Sequence, residues 1–226
     1  EVAGAWTDIT ANRRAEQLRS ARAAVLDGVV ASQPLPAILA LIARSLEDLV
    51  PEMRVSILLL DARSGRLHVG AAPRLPDFYN AAVEGLEIGE GRGSCGTAAF
   101  RGGRGTGEDL ARHPYWQGFR EVTARAGLRA CWSVPFKDTR GQVLGTFASY
   151  HATPHTPDQD ELDLVEEFAR ITALAVQKVR AEAALRQSSA VFESTRDGVV
   201  ITTLEPRIVA VNPAYSEITG YSADEV

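Results

Sequence analysis

Apolar positions recur at helical spacing at both ends of the chain and gather into short, nearly continuous runs in the middle. The stretch from Thr10 to Leu49 reads as helix with an interruption. Thr10 is placed to cap it, and Leu18, Val25, Val29 and Val30 are its first apolar members. Pro34 and Pro36 break the run, since neither can donate a helix hydrogen bond. A second helix follows, with Ile38, Leu41, Ile42, Leu46, Leu49 and Val50 on one face, and Pro51 ends it. The period then changes. Val55–Leu60 and Arg66–Ala72 flank the turn residues Asp61–Gly65, and Arg129–Lys137 and Val143–Ala152 flank Asp138–Gly141, which predicts two hairpins of one design. Between them lie a short helix over Asp77–Leu86, a Gly-rich turn over Gly89–Gly96, a turn or two of helix over Thr97–Arg101, a second Gly-rich stretch over Gly102–Gly107, and a helix over Pro114–Ala126. The longest helix is predicted from Pro157 to Gln187, roughly 45 Å at 1.5 Å per residue. Hairpins set apart from flanking helices define an α+β domain.

That long helix carries two apolar stripes. Leu164, Phe168, Ile171, Leu174 and Ala175 form a bulky one; Leu162, Val165, Ala169, Thr172, Val176, Val179 and Ala183 form one of smaller residues at heptad spacing. One stripe suits the domain's own sheet. The other suits either the N-terminal helix or the same helix of a second chain, and the homodimer reading assigns Val165, Ala169, Thr172, Val176 and Val179 to the seam. Beyond it, Arg180–Gln187 is a good helix former with few apolar anchors, as expected of a stiff connector. Nearly the same text occurs at Arg14–Arg19, and each copy leads into Asp-Gly-Val-Val, at Asp27–Val30 and Asp197–Val200.

Composition narrows the function classes. The 226 residues are 45% hydrophobic and 23% charged, as in soluble globular proteins. A net charge of −5 argues against general nucleic-acid binding. The longest apolar runs, such as Ala37–Ala43 and Ala130–Phe136, are too short to span a membrane. Two cysteines, Cys95 and Cys131, suggest a reducing, cytoplasmic setting. A chain that starts at Glu1, with Met53 its only methionine, reads as a fragment.

Four motifs in order carry a resemblance: Gly91-Arg-Gly-Ser-Cys-Gly-Thr-Ala-Ala99, Glu108-Asp-Leu-Ala-Arg-His-Pro-Tyr-Trp116, Gly127–Phe136 and Gly141–Tyr150. Residues 33–180 resemble the GAF domain of bacterial multidomain signalling proteins. The flanks resemble PAS pieces: residues 1–32 the tail and exit linker of an upstream one, and residues 191–226, after a linker over 181–190, the truncated start of a downstream one. The resemblance implies a six-stranded antiparallel sheet with terminal helices on one face and a ligand pocket on the other. It also implies an output elsewhere, a diguanylate cyclase, a cyclic di-GMP phosphodiesterase or a histidine kinase, with no catalysis in these residues. A PAS start that cannot close its sheet is expected to be poorly ordered over 190–226, or to be rescued by another chain.

The candidate chemistry is modest. Gly91–Gly96 fits G-x-G-x-x-G, but Gly102 and Gly103 interrupt the following helix too soon for a dinucleotide site, and a tight turn feeding a packed helix is the better reading. Gly102–Gly107 stands where relatives have an apolar strand, so a mobile edge or an opened pocket is expected. Cys95, near a helix N-terminus, is a candidate low-pKa thiol, although buried structural cysteine is the first reading of both Cys95 and Cys131. A similar Cys-Gly-Thr-Ala turn in the free methionine sulfoxide reductases makes a redox enzyme the rival reading, although Cys131 departs from their catalytic position. His68, His113, His151 and His155 match no zinc spacing. No Cys-His pair supports a bilin, and the cyclic-nucleotide signature is missing. The cofactor is therefore unassigned. An unidentified small ligand is expected among Cys95, Tyr115, Trp116, Phe119, Arg129, Trp132 and Phe147, aromatic walls with a few polar groups.

Overall fold

The computed structural model describes residues 9–205, 207–222 and 225–226, with side chains at Glu16 and from Leu18 onward. Thr10's side chain and the upstream segment Gly4–Asp8 lie outside the described residues. Two compact units divide the chain, one ending at Gln177 and the other beginning at Lys178.

The first unit opens with helices α1 (Ile9–Val30) and α2 (Leu35–Leu49). The break comes one turn earlier than the prolines alone predict. Ser32 takes a left-handed φ of 51°, Pro34 caps α2, and Pro36 sits in its first turn, where the missing N–H costs nothing. A single sheet follows in the order β3-β2-β1-β6-β5-β4, every pair antiparallel. Its central strands are β1 (Arg54–Asp61), β6 (Val143–His151) and β5 (Ala130–Lys137), and β2 (Arg66–Ala71) completes the first hairpin. The short strands β3 (Leu86–Glu87) and β4 (Gly105–Gly107) close the edges. The α+β class and the six-stranded antiparallel sheet are as expected.

Register sorts the side chains. Ile57 pairs with Phe147, and Val134 also pairs with Phe147, so these residues share one face with Trp132 and Phe136. The alternate positions, Ser56, Leu58, Cys131, Ser133, Thr146, Ala148 and Tyr150, share the other. Helix α2 lies on the Ile57 face. A Cβ on Gly70 would come 2.8 Å from Leu39 Cδ1, so glycine there lets the helix approach β2. Helices α3 (Asp77–Val83), α4 (Gly93–Arg101) and α5 (Arg120–Arg125), with a 3-10 turn over Pro114–Phe119, cover the opposite face.

Two glycine-based expectations change. Helix α4 begins at Gly93, four residues earlier than Thr97. The Gly102–Gly107 stretch is not a loose edge, because its second half is β4, paired to Cys131–Ser133. A Cβ at Gly105 would lie 2.2 Å from Ser94 O, and one at Gly107 2.8 Å from Trp116 Nε1. Glycine is required there by close approach to α4 and Trp116.

Helix α6 (Gln159–Ser194) is 36 residues long, starting two residues after Pro157 and running past Gln187. The stripe assigned to a dimer seam faces inward instead. Val165, Thr172 and Val176 are fully buried and Ala169 nearly so, within a single chain, while Val179 is half-buried. Val134, Phe136, Ala169 and Ala173 line one surface groove, which puts α6 on the same side of the sheet as Phe136. From the bulky stripe, Phe168 and Ala175 are also buried, whereas Leu174 is 60% exposed. Both stripes largely serve this chain's own core.

The second unit contains strands β7 (Val200–Thr202) and β8 (Ile208–Val211), an antiparallel pair, and helix α7 (Pro213–Thr219). Asn212 organises it from a buried position. Its Oδ1 accepts from Val199 N (2.7 Å) and Tyr215 N (3.0 Å), and its Nδ2 donates to Asp197 O (2.9 Å) and Phe192 O (3.2 Å). One fully satisfied amide ties the hairpin, the helix start and the end of α6 together.

Candidate functional site

The face built from Ser56, Leu58, Cys131, Ser133, Thr146, Ala148 and Tyr150 is where the chain buries polar groups. Its cover is α4, the 3-10 turn and α3. Gly93 has a left-handed φ of 62°, which turns the chain sharply into α4 and leaves its Cα against the Trp116 ring. Ser94 and Cys95 therefore enter in the first helical turn, both buried. Ser94 Oγ donates to Cys131 O (3.0 Å) and Trp116 Nε1 donates to Ser94 Oγ (3.3 Å), which fixes helix, strand and indole to one another. Tyr150 Oη lies 3.1 Å from Ser56 Oγ and 4.0 Å from Cys95 Sγ, and the Tyr79 ring meets that of Tyr150 edge-on at 5.7 Å. Leu58, Tyr79, Cys95, Trp116, Phe119 and Tyr150 surround a cavity of about 10 Å³, room for one water at most.

The electrostatics of this interior centre on Cys95. The hydrogen bond from the Cys131 thiol is the largest influence and, against burial, brings the Cys95 pKa down to about 7, with Ser133, Thr146 and Tyr150 assisting. Cys131 moves the other way, pushed up by burial and then by its neighbour Cys95. Burial also raises both tyrosines, so they stay neutral donors. The arrangement can hold one negative charge or a small polar group inside an otherwise apolar core. The two free thiols also give it latent redox chemistry.

Of the seven residues predicted to form a pocket, the structure brings together Cys95, Trp116 and Phe119. Tyr115 points to the surface, where its hydroxyl donates to Glu90 Oε1 (2.6 Å). Arg129 pairs with Asp109 (3.0 Å). Trp132 and Phe147 are core residues of the opposite sheet face, which corrects their assignment. Residues the sequence reading missed are Leu58, Tyr79, Ser94, Ser133, Thr146 and Tyr150. Strand parity was the available signal. Once Cys131 faces the site, so do Ser133 and, across the pair, Ala148 and Tyr150, while Trp132 cannot.

Among the histidines, His113 caps the 3-10 turn by accepting from Tyr115 N (3.2 Å), and His68 Nδ1 sits 2.6 Å from Glu84 Oε1. No described helix is long and apolar enough to cross a membrane.

Comparison with known proteins gives consistent results. The GAF domain profile matches residues 32–177 and a PAS domain profile matches residues 186–226. A methyl sulfide methyltransferase-associated sensor of Methanosarcina acetivorans is 30% identical over 230 residues, covering 99% of this chain, which spans 23% of that protein's length. Three solved structures share the fold. The GAF domain of a phosphoenolpyruvate-protein phosphotransferase from Coxiella burnetii has a TM-score of 0.62, with 20% identity over 75% of this chain and 98% of its own. The free methionine-R-sulfoxide reductase of Neisseria meningitidis, in complex with its substrate, gives 0.60, 21%, 80% and 98%. A domain of a two-component sensor histidine kinase protein from Sinorhizobium meliloti gives 0.58, 22%, 69% and 99%.

Proposed function

This chain belongs to the GAF domain family, and from that premise we propose that it is a sensory and signal-relay module without catalysis of its own. A small polar ligand or a partner event acts on the interior between the sheet and α4, and α6 carries the change to a downstream output domain, with cyclic di-GMP turnover the favoured output. The observation that carries this reading is α6 itself: its first turns belong to the GAF unit, and its 36 residues continue without a break to the PAS-matching segment. The sensor from Methanosarcina acetivorans, similar over nearly the whole of this chain, supports it. The module acts in the cytoplasm, as a homodimer. Because the Val165–Val176 stripe is used internally, the pairing surface is the outward side of α6 marked by Leu174.

A thermal-shift screen of metabolites, nucleotides, haem and gases tests the sensory role. A ligand at 100 times its Kd adds about 2.7 kcal/mol, which raises Tm by several degrees in a domain of this size. The shift should shrink in Tyr150→Phe, which removes the hydroxyl beside Cys95 and keeps the ring. If no compound stabilises the domain, the sensory reading fails and a ligand-free dimerisation scaffold replaces it.

A second reading is a free methionine sulfoxide reductase-like enzyme, favoured by two free buried thiols at one site, Cys131 lowering the Cys95 pKa. It requires thioredoxin-coupled reduction of free methionine sulfoxide, lost in Cys95→Ser. The small cavity, about 10 Å³, and the burial of both thiols weigh against it.

A further inference from the structure

The start of α6 meets the end of β6 through two histidines. β6 ends at His151, and the chain turns through residues 152–158 into α6. There Asp158 and Glu161 cap the helix reciprocally: Glu161 N donates to Asp158 Oδ1 (2.9 Å) and Asp158 N donates to Glu161 Oε2 (3.2 Å). The cap holds the Glu161 carboxylate beside His155, whose Nε2 lies 2.7 Å from Oε2. His155 is fixed in turn by its backbone N–H on Glu108 O (3.0 Å), and its ring stacks on His151 with centroids 4.0 Å apart. His151 is only 5% exposed, and its Nε2 is buried without a hydrogen-bond partner. One ligand atom from each of the three side chains lies within 4.8 Å of the others.

An orphaned buried nitrogen is destabilising, and here it belongs to a ring stacked on a second imidazole that is itself paired with a carboxylate. We propose that His151, His155 and Glu161 form a three-ligand site for a borderline divalent transition metal ion, Zn²⁺ above all, with the fourth position open to water. Two imidazoles and one carboxylate are a donor set that such ions favour, whereas Ca²⁺ and Mg²⁺ are held by oxygen alone. The ion takes the place of the proton between His155 and Glu161, and that proton is released to solvent. It gives the unpartnered His151 nitrogen a bond and pins the first turn of α6 to the end of β6. His151 and His155 have the H-x3-H spacing of half a zinc motif, but no cysteine pair or third histidine accompanies it in sequence, because the third ligand, Glu161, comes from the helix that follows. The proposal stands whether or not the sheet-face cavity takes a ligand.

Co²⁺ titration of the full chain, stripped of metal by a chelator and kept reduced, followed by Zn²⁺ competition, tests it. One Co²⁺ per chain is expected, with tetrahedral ligand-field bands and no sulfur charge-transfer band, displaced by Zn²⁺. His155→Ala and Glu161→Gln should each weaken binding about tenfold or more, since even outer-shell changes cost 10–100-fold, and His68→Ala should not. Glutamine also serves in the reciprocal cap, so Glu161→Gln leaves the helix start intact. Absence of saturable Co²⁺ binding, undiminished affinity in both variants, or a sulfur charge-transfer band would each overturn the proposal.

Discussion

A buried thiolate needs polar neighbours: the Tyr150 hydroxyl lies 4.0 Å from Cys95 Sγ, and Cys131, Ser133 and Thr146 also lower its pKa. Its pKa is lowered from 9.0 to about 7, so the thiolate stabilises the fold fully above the unfolded value, and that contribution is lost as pH falls from 9 toward 7. Cys131, raised by burial, acts in the opposite sense above its ordinary value. Unfolding measured across this window should show a stability gain on the order of 2 kcal/mol. Cys131→Ala removes the leading influence. The Cys95 thiolate absorbance should then titrate closer to 9.0, and the gain should flatten. An unmoved Cys95 titration in that variant would assign the low pKa to the hydroxyls instead. Glycines make a second test at the same scale. Gly105→Ala places a methyl 2.2 Å from a backbone carbonyl and should cost about 1–3 kcal/mol in denaturant unfolding. Gly103→Ala, with nothing within 4 Å, should stay within about 0.5 kcal/mol of wild type.

Helix α6 shows how element-scale patterns mislead. Both its stripes are real, but a heptad of small residues fits a sheet and neighbouring helices as well as it fits a second copy, and periodicity does not name the partner. Val176 and Leu174 separate the two roles. Val176→Asp buries an unpaired carboxylate at a fully buried position and should cost several kcal/mol, lowering Tm in whatever oligomer is present. Leu174→Asp, at 60% exposure, should leave the melting transition nearly unchanged and lower the mass measured by light scattering from dimer to monomer. A monomeric wild type would remove the dimer reading altogether. The hairpins, the helix breaks and the sheet's class are legible in the sequence because each rests on local period and turn chemistry. The site is half legible. Cys95, Trp116 and Phe119 sit in or beside motifs, whereas Tyr79, Ser56 and Tyr150 reach it only through strand register and the placing of α3, which are long-range properties. Trp132 and Phe147 mislead because aromatic content alone does not mark a pocket, and alternation from Cys131 puts both on the other face. The edge at Gly102–Gly107 misleads for a related reason. Glycine in a strand reads as a loss of packing, yet β4 uses it to bring two backbones together.

At the scale of the whole molecule, what joins the two units in sequence is the later part of α6. From Ala183 to Val191 every residue is exposed, Leu185 at 71%, so this stretch draws little stability from packing and stays helical through its own propensity. A connector of that kind transmits twist or displacement only while it is continuous. Leu185→Pro deletes an interior hydrogen bond and costs the local helix about 3 kcal/mol, while the core of the GAF unit keeps its packing. The main cooperative melting transition should therefore hold its midpoint, while amide exchange speeds up over residues 180–190. The metal site at the other end of α6 gives this variant a defined input. In wild type, Co²⁺ should slow exchange both at the first turn of α6 and beyond Lys178; in Leu185→Pro the first effect should persist and the second disappear. Protection beyond Lys178 that survives the proline would mean that the signal does not travel along the helix, and the relay would have to be sought in contacts between protomers.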